Sequence, residues 1–215
     1  MRGFASRRAV MAGFGLSLLV AFNAAPRVAA AQADPAGFIQ ALGTQGIQAL
    51  NHSVPQAQRV AVFRQILDQD FDLADISRFV LGPYARSLSP QQQQEFMVLF
   101  RDRLARTYAE RLSAYGGQPF RVTGTRPMGG ETVVTSQVLR NDGPPVEIDW
   151  HVADRGGRML VTDVVVNGVS QKISERQEFA GIIQRNGGRP ESVIAALRQE
   201  SPEGPGYGST YRPTR

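Results

Sequence analysis

The sequence predicts an α+β fold, and three features of its pattern do so. Apolar side chains recur every three or four residues up to position 115, alternate from 120 to 166, and return to the helical period from 174 to 200. Turn residues rather than helical stretches separate the alternating runs, so those strands should follow one another as an antiparallel meander with helices over its apolar face. A chain of 215 residues with 42% hydrophobic side chains suits one domain with a real core, and excludes a disordered or collagen-like protein.

The first helix is expected over residues 34–51, started by Asp34 and Pro35 and carrying Phe38, Leu42, Ile47 and Leu50. Residues 56–69 repeat the pattern through Val60, Phe63 and Leu67. Residues 72–81 do so again through Leu73, Ile76 and Val80, capped by Asp72 and ended by Gly82-Pro83. The longest helix covers residues 89–115. Ser89 caps it, Pro90 takes a first turn where a missing N–H costs nothing, and Gln92 completes a Ser-x-x-Gln capping box. Phe96, Leu99, Phe100, Leu104, Tyr108, Leu112 and Tyr115 then draw one apolar stripe down to Gly116-Gly117.

Four strands are expected, at residues 120–126, 132–140, 146–153 and 158–166, with turns at Met128-Gly129-Gly130, Asn141-Asp142-Gly143 and Arg155-Gly156-Gly157. In the third, Val146, Ile148, Trp150 and Val152 face one way and Glu147, Asp149 and His151 the other, so one side of the sheet is apolar and the other wet. Helices at residues 174–186 and 191–200, parted by Gly187-Gly188 and Pro190, return to the apolar side. Residues 201–215 contain no aliphatic side chain and read as a disordered tail.

Arg2, Arg7 and Arg8 precede an apolar run of 14 residues, shorter than the roughly 20 that cross a bilayer as a helix. Small residues follow it, so residues 1–31 read as an export signal cleaved near Ala31 or Ala33, with a domain at residues 32–200. Ser6-Arg7-Arg8 also fits the start of a twin-arginine signal. The formal charge of +5 resides largely in that segment: residues 1–31 hold four of the 24 basic side chains, leaving 20 against 19 acidic ones, a net of +1. A nucleic-acid partner is therefore not expected. The chain has no Cys, which removes disulfides, thiolate metal sites and a lipid-modified Cys; His52 and His151 are too few for a histidine metal cage, and no cofactor is expected.

Asp149, His151 and Asp163 are the candidates for acid–base chemistry, but the first two lie on the wet face, away from the helices. Asp68, Asp70, Asp72 and Asp75 suggest the opening of a calcium loop, which Phe71 and Leu73 interrupt and no Gly follows. The helical stripes over a twisted sheet are the better lead, since such a layer can leave a tapered apolar cavity.

Leu81-Gly82-Pro83-Tyr84-Ala85-Arg86, then Gln94, Phe96, Phe100, Leu104, Tyr108 and Tyr115, then residues 163–170 in the order DVVVNGVS, then Arg176 and Phe179, together resemble the MlaC or toluene-tolerance family of periplasmic phospholipid-binding proteins. The resemblance runs in order over residues 34–200. It implies helices on a four-stranded antiparallel sheet, an NTF2-like cone around an apolar cavity. It also implies a non-enzymatic carrier that takes phospholipid between an outer-membrane lipoprotein–porin complex and an inner-membrane MCE-domain ABC transporter. On that reading, face periodicity places Phe79, Val80, Leu99, Phe100 and Leu104 on the helical wall and Val134, Val138, Ile148, Trp150 and Val164 on the sheet wall. Arg86 and Arg176 are the candidates for the head group or a docking surface, or alternatively for a structural pairing with Asp163. The alternatives are a hopanoid-carrying relative, an enzyme on the same scaffold using Asp163 with Tyr108, and an interaction domain without ligand.

Overall fold

The computed structural model describes residues 34–49, 54–114, 117–140 and 142–201. The expected export signal, nearly all of the expected tail, the end of the first predicted helix, His52, Tyr115, Gly116 and Asn141 lie outside the described residues. Helices α1 (Pro35–Ala49), α2 (Gln56–Asp70), α3 (Leu73–Leu81) and α4 (Pro90–Arg111) come first. Strands β1 (Phe120–Met128), β2 (Glu131–Val138), β3 (Val146–Asp154), β4 (Met159–Val166) and β5 (Val169–Ser170) follow, and α5 (Gln171–Arg185) and α6 (Glu191–Gln199) end the domain.

The helix starts are made by the residues whose chemistry suits them. Asp34 Oδ1 accepts the Gly37 N–H at 2.9 Å, and Asp72 Oδ1 accepts that of Asp75 at 3.1 Å. At the head of α4 both halves of the capping box form: Ser89 Oγ accepts the Gln92 N–H at 3.2 Å, and Gln92 Oε1 accepts the Ser89 N–H at 2.8 Å. α3 ends where Gly82 turns to a φ of 57°, and a short 3₁₀ segment, Gly82–Ser87, leads to α4. The helix expected over residues 89–115 gives way to 3₁₀ geometry at Leu112–Ala114.

The sheet is a meander in the order β1-β2-β3-β4-β5, antiparallel throughout. It has five strands where four were expected. Asn167 and Gly168 have φ of 48° and 81°, the left-handed pair that a tight two-residue hairpin requires, and they fold Val169–Ser170 back onto Val166 and Val165. Ser170 then caps α5, its hydroxyl accepting the Ile173 N–H at 3.2 Å, so α5 begins at Gln171 and not at 174.

α2 packs on α4, α3 on α5, and α6 on α4 and α5, while α1 lies on β1. Phe96, Phe100 and Phe179 meet at the centre with ring centroids 5.4 to 5.6 Å apart, and Val134, Val152 and Val161 bring the inner face of the sheet into the same core. Phe71 bridges to Val161 and the Asp72 N–H donates to the Val161 carbonyl at 2.9 Å, which fastens the α2–α3 junction to the edge of β4. Three of the four aspartates that suggested a calcium loop are held by separate partners: Asp68 by Arg101, Asp72 by Arg155 and Asp75 by Arg78.

The opposite face of the sheet is polar, as the alternation in β3 predicts. Asp149 accepts hydrogen bonds from Arg126 at 2.7 Å and Thr135 at 2.6 Å, while Glu131 accepts from Thr162 at 2.8 Å and faces His151 Nδ1 at 3.3 Å. The Arg126 hydrogen bond outweighs partial burial and holds the Asp149 carboxyl below the usual carboxylate range. A lowered folded-state pKa contributes stability that is complete above the unfolded value, about 3.9, and is lost as the pH falls through the folded one. Urea unfolding of Asp149→Asn should therefore show a smaller loss of stability than wild type between about pH 5 and pH 2. Equal losses in the two proteins would remove Asp149 from the acid response.

Candidate functional site

A pocket of about 370 Å³ opens between the helices and one end of the inner face of the sheet. The pairing register explains which end. Phe120, Val138 and Val146 sit in one row, Ile148 and Val166 in another, Trp150 and Val164 in a third, and all of them line the pocket. Val152 and Val161, further along the same face, are closed over by the core. Four helices supply the facing wall through Leu42 and Ile47 of α1, Phe63, Ile66 and Leu67 of α2, Leu73 and Ile76 of α3, and Phe100, Leu104 and Tyr108 of α4. Two glycines of α1, Gly43 and Gly46, also line it.

Of the wall residues named from periodicity, the structure brings together Phe100, Leu104, Val138, Ile148, Trp150 and Val164 around this pocket. It places the other four elsewhere. Val80 and Val134 are fully buried in the core beside it, Phe79 faces α5, and Leu99 lies in a shallow groove with Pro90, Gln94 and Val98. The stripe on α3 explains the difference: its first turn reaches the sheet, while its last turn meets α5. Arg86 is exposed on the 3₁₀ segment, and Arg176 stacks over Phe79 at 5.1 Å; neither is among the lining residues.

Trp150 keeps the wall apolar by having its polar atom satisfied. Its indole Nε1–H donates to Ser136 Oγ at 2.8 Å, and Ser136 is itself fully buried. The other polar lining groups are Thr162, Asp163, Gln171, Lys172 and Glu175, gathered where β4 leads into α5, together with Tyr108. A slip of register between His151 and Val152 leaves Thr162 as an extra residue in β4, and Asp163 stands opposite His151 with its side chain engaged at the head of α5. There its carboxylate accepts from Ser170 Oγ at 2.6 Å, the Val164 N–H at 2.8 Å and the Lys172 N–H at 3.2 Å. Asp149, His151 and Asp163 are thus engaged by different partners, Asp149 by Arg126 and Thr135, His151 by Glu131 and Asp163 by Ser170.

Glu175 accepts from Arg103 at 2.6 Å, and Arg103 also meets Glu178 at 2.7 Å and Glu200 at 3.1 Å while lying over the Phe179 ring. Burial nonetheless pushes the Glu175 carboxyl above its ordinary range. Burial also raises the Tyr108 phenol, and with the negative charge of Glu175 beside it the value is pushed up to about 12. Tyr108 is thus a protonated hydroxyl at any ordinary pH.

A family model described as MlaC protein matches residues 40–199. The chain is 29% identical over 185 residues to the toluene tolerance protein Ttg2D of Pseudomonas putida, covering 82% of this chain and 86% of that one. It is 24% identical over 127 residues to the intermembrane phospholipid transport system binding protein MlaC of Haemophilus influenzae, with 57% and 58% covered. Among solved structures, a phospholipid-binding protein of Ralstonia solanacearum in complex with a phospholipid superposes with a TM-score of 0.65, at 23% identity, over 77% of this chain and 95% of that one. The match runs from within α1 to the end of α6 and takes in every strand, so the fold and the motifs at residues 81–86 and 163–170 have a common source: the chain belongs to the MlaC family.

Proposed function

We propose that the protein is a periplasmic phospholipid carrier, which holds the acyl part of a lipid in this pocket and moves it through water without making or breaking a bond. The observation that carries the reading is the pocket itself, with a volume of about 370 Å³ and a wall of aliphatic and aromatic side chains from four helices and four strands. Its volume is in the range of ligand pockets, roughly 300 to 1,000 Å³. Burying a methylene contributes about 0.8 kcal/mol, so an acyl chain of about 15 methylenes costs on the order of 12 kcal/mol to expose, and a soluble carrier has to cover it. The names of the Pseudomonas and Haemophilus relatives and the phospholipid in the Ralstonia structure support the same ligand class.

The export signal read at residues 1–31 supports the compartment. The family supports a route between an outer-membrane lipoprotein–porin complex and an inner-membrane MCE-domain ABC transporter. The hydrogen bonding of the pocket carboxylates supports binding over chemistry: Asp163 is engaged by a hydroxyl and two amides, and Glu175 by Arg103.

Native mass spectrometry of the protein purified gently from the periplasm, followed by solvent extraction, tests the reading. One phospholipid per chain is expected. A protein that arrives empty and stays empty when offered phospholipid vesicles would overturn it, and a bound triterpenoid would replace phospholipid by a hopanoid.

A further inference from the structure

The carrier reading leaves the charged end of the ligand without a place, and α5 supplies one. We infer that Lys172, on the pocket wall, and Arg176, one turn further along α5 and outside the lining, bind a phosphodiester anion beside the pocket and make it select phosphate-bearing ligands. This rests on the carrier reading above.

Lys172 is the one lysine of the chain and, among the described residues, the one basic side chain that lines the pocket. Arg176 follows it by four residues, on the same face of the helix. Both cations lie over a single ring, Phe79, the ammonium at 5.0 Å and the guanidinium at 5.1 Å from its centroid. Two like charges at that spacing repel, and a carboxylate between them would be the ordinary remedy. None is there: among the described residues neither Lys172 nor Arg176 forms an ion pair, a condition they share with Arg59, Arg86, Arg106, Arg111, Arg121, Arg158, Arg185 and Arg189.

The nearby carboxylates are already committed. Asp163 accepts from Ser170 and from the amides of Val164 and Lys172, and Glu175 accepts from Arg103. Asp163 thereby also occupies the first turn of α5, so an incoming anion meets side-chain cations and not free helix N–H groups. Arg176 is held in place from the other side. Its Nη2 lies 3.0 Å from where a β-carbon of Gly82 would stand, so the glycine that ends α3 leaves room for the guanidinium. An ammonium and a guanidinium beside one ring, with their N–H groups unspent on carboxylates, are the donors that phosphodiester oxygens accept from.

The test offers the purified protein two ligands from cyclodextrin, dioleoyl phosphatidylglycerol and dioleoylglycerol, which share their acyl chains and differ in the phosphate. Wild type is expected to take up the phosphatidylglycerol about tenfold better, and Lys172→Gln with Arg176→Gln to lose about that factor for the phosphatidylglycerol and none for the dioleoylglycerol. Lys172→Arg should retain the preference. Should the double variant not fold by circular dichroism, the two single variants carry the test, each with a loss of roughly threefold. Equal uptake of both lipids by wild type, or unchanged phosphatidylglycerol uptake in the folded variants, overturns the assignment and leaves the carrier reading standing. No uptake of either lipid by wild type overturns the carrier reading and this assignment with it. Inorganic phosphate alone is expected not to move the melting temperature; a rise equal to that given by the phosphatidylglycerol would make this a site for free phosphate, and the lipid assignment would fall.

Discussion

Phenylalanine in place of Gly46 is expected to give a folded protein that no longer takes up lipid. Gly46 lies in the body of α1, lines the pocket, and has no heavy atom within 4 Å of the position its β-carbon would take. A side chain there meets empty space and the same apolar wall that faces a ligand. Relative to glycine, phenylalanine improves the helix by roughly 0.5 kcal/mol, and burying its ring against the wall contributes up to about 2 kcal/mol more. The melting temperature should rise by a few degrees, at roughly 2–4 °C per kcal/mol, while phospholipid uptake from vesicles falls more than tenfold. Unchanged uptake would place the ligand outside this pocket. Gly43, one turn earlier, is the internal comparison. A β-carbon there would fall 2.4 Å from the Phe120 ring, so Gly43→Ala should destabilise by about 1–3 kcal/mol. Two glycines of one helix, both at the pocket, are thus predicted to respond in opposite directions.

The largest loss of stability is expected at Phe179. Its ring packs edge-on against both Phe96 and Phe100, with centroids 5.4 and 5.6 Å away, and carries the guanidinium of Arg103 at 5.2 Å. All three rings are fully buried, so Phe179→Ala opens a void that the helices on three sides cannot close. The expected cost is about 3–5 kcal/mol in urea unfolding, or on the order of 10 °C in melting temperature. It should also weaken the hold of Arg103 on Glu175, Glu178 and Glu200, because the guanidinium loses the ring beneath it. A loss under about 1 kcal/mol would mean that the core repacks around the gap.

Much of the fold was legible because its signals are local. Ser89, Pro90 and Gln92 mark the start of α4 by residue type and spacing, and the structure forms both bonds of the capping box. β5 was missed although its marker is equally local: Asn167-Gly168 is a strong two-residue hairpin signal, but it stands in a continuous apolar run that reads as the end of one strand. The start of α5 went with it, since Ser170 serves both elements. The pocket was legible on the sheet and poorly so on the helices. Alternation identifies the inner face, and Val138, Ile148, Trp150 and Val164 follow from it; Val134 shares that face but sits where the core closes. A helical stripe shows which side turns inward without showing which strand lies beneath. Periodicity therefore does not rank Phe79, Val80 and Leu99 against Phe63 and Leu67 of α2, which line the pocket and whose stripe reads no differently. Lys172 carried no signal beyond being the sole lysine, and its place beside the pocket goes with the early start of α5.

The pocket is also a portion of hydrophobic interior that the chain does not fill with its own side chains. Any molecule that fills it completes the interior, and by mass action stabilises the folded state by about 2.7 kcal/mol once its free concentration is a hundred times its dissociation constant. The occupied protein then opens less often than the vacant one. Resistance to a protease becomes a record of occupancy, and in a compartment with proteases, vacant copies are removed faster than occupied ones.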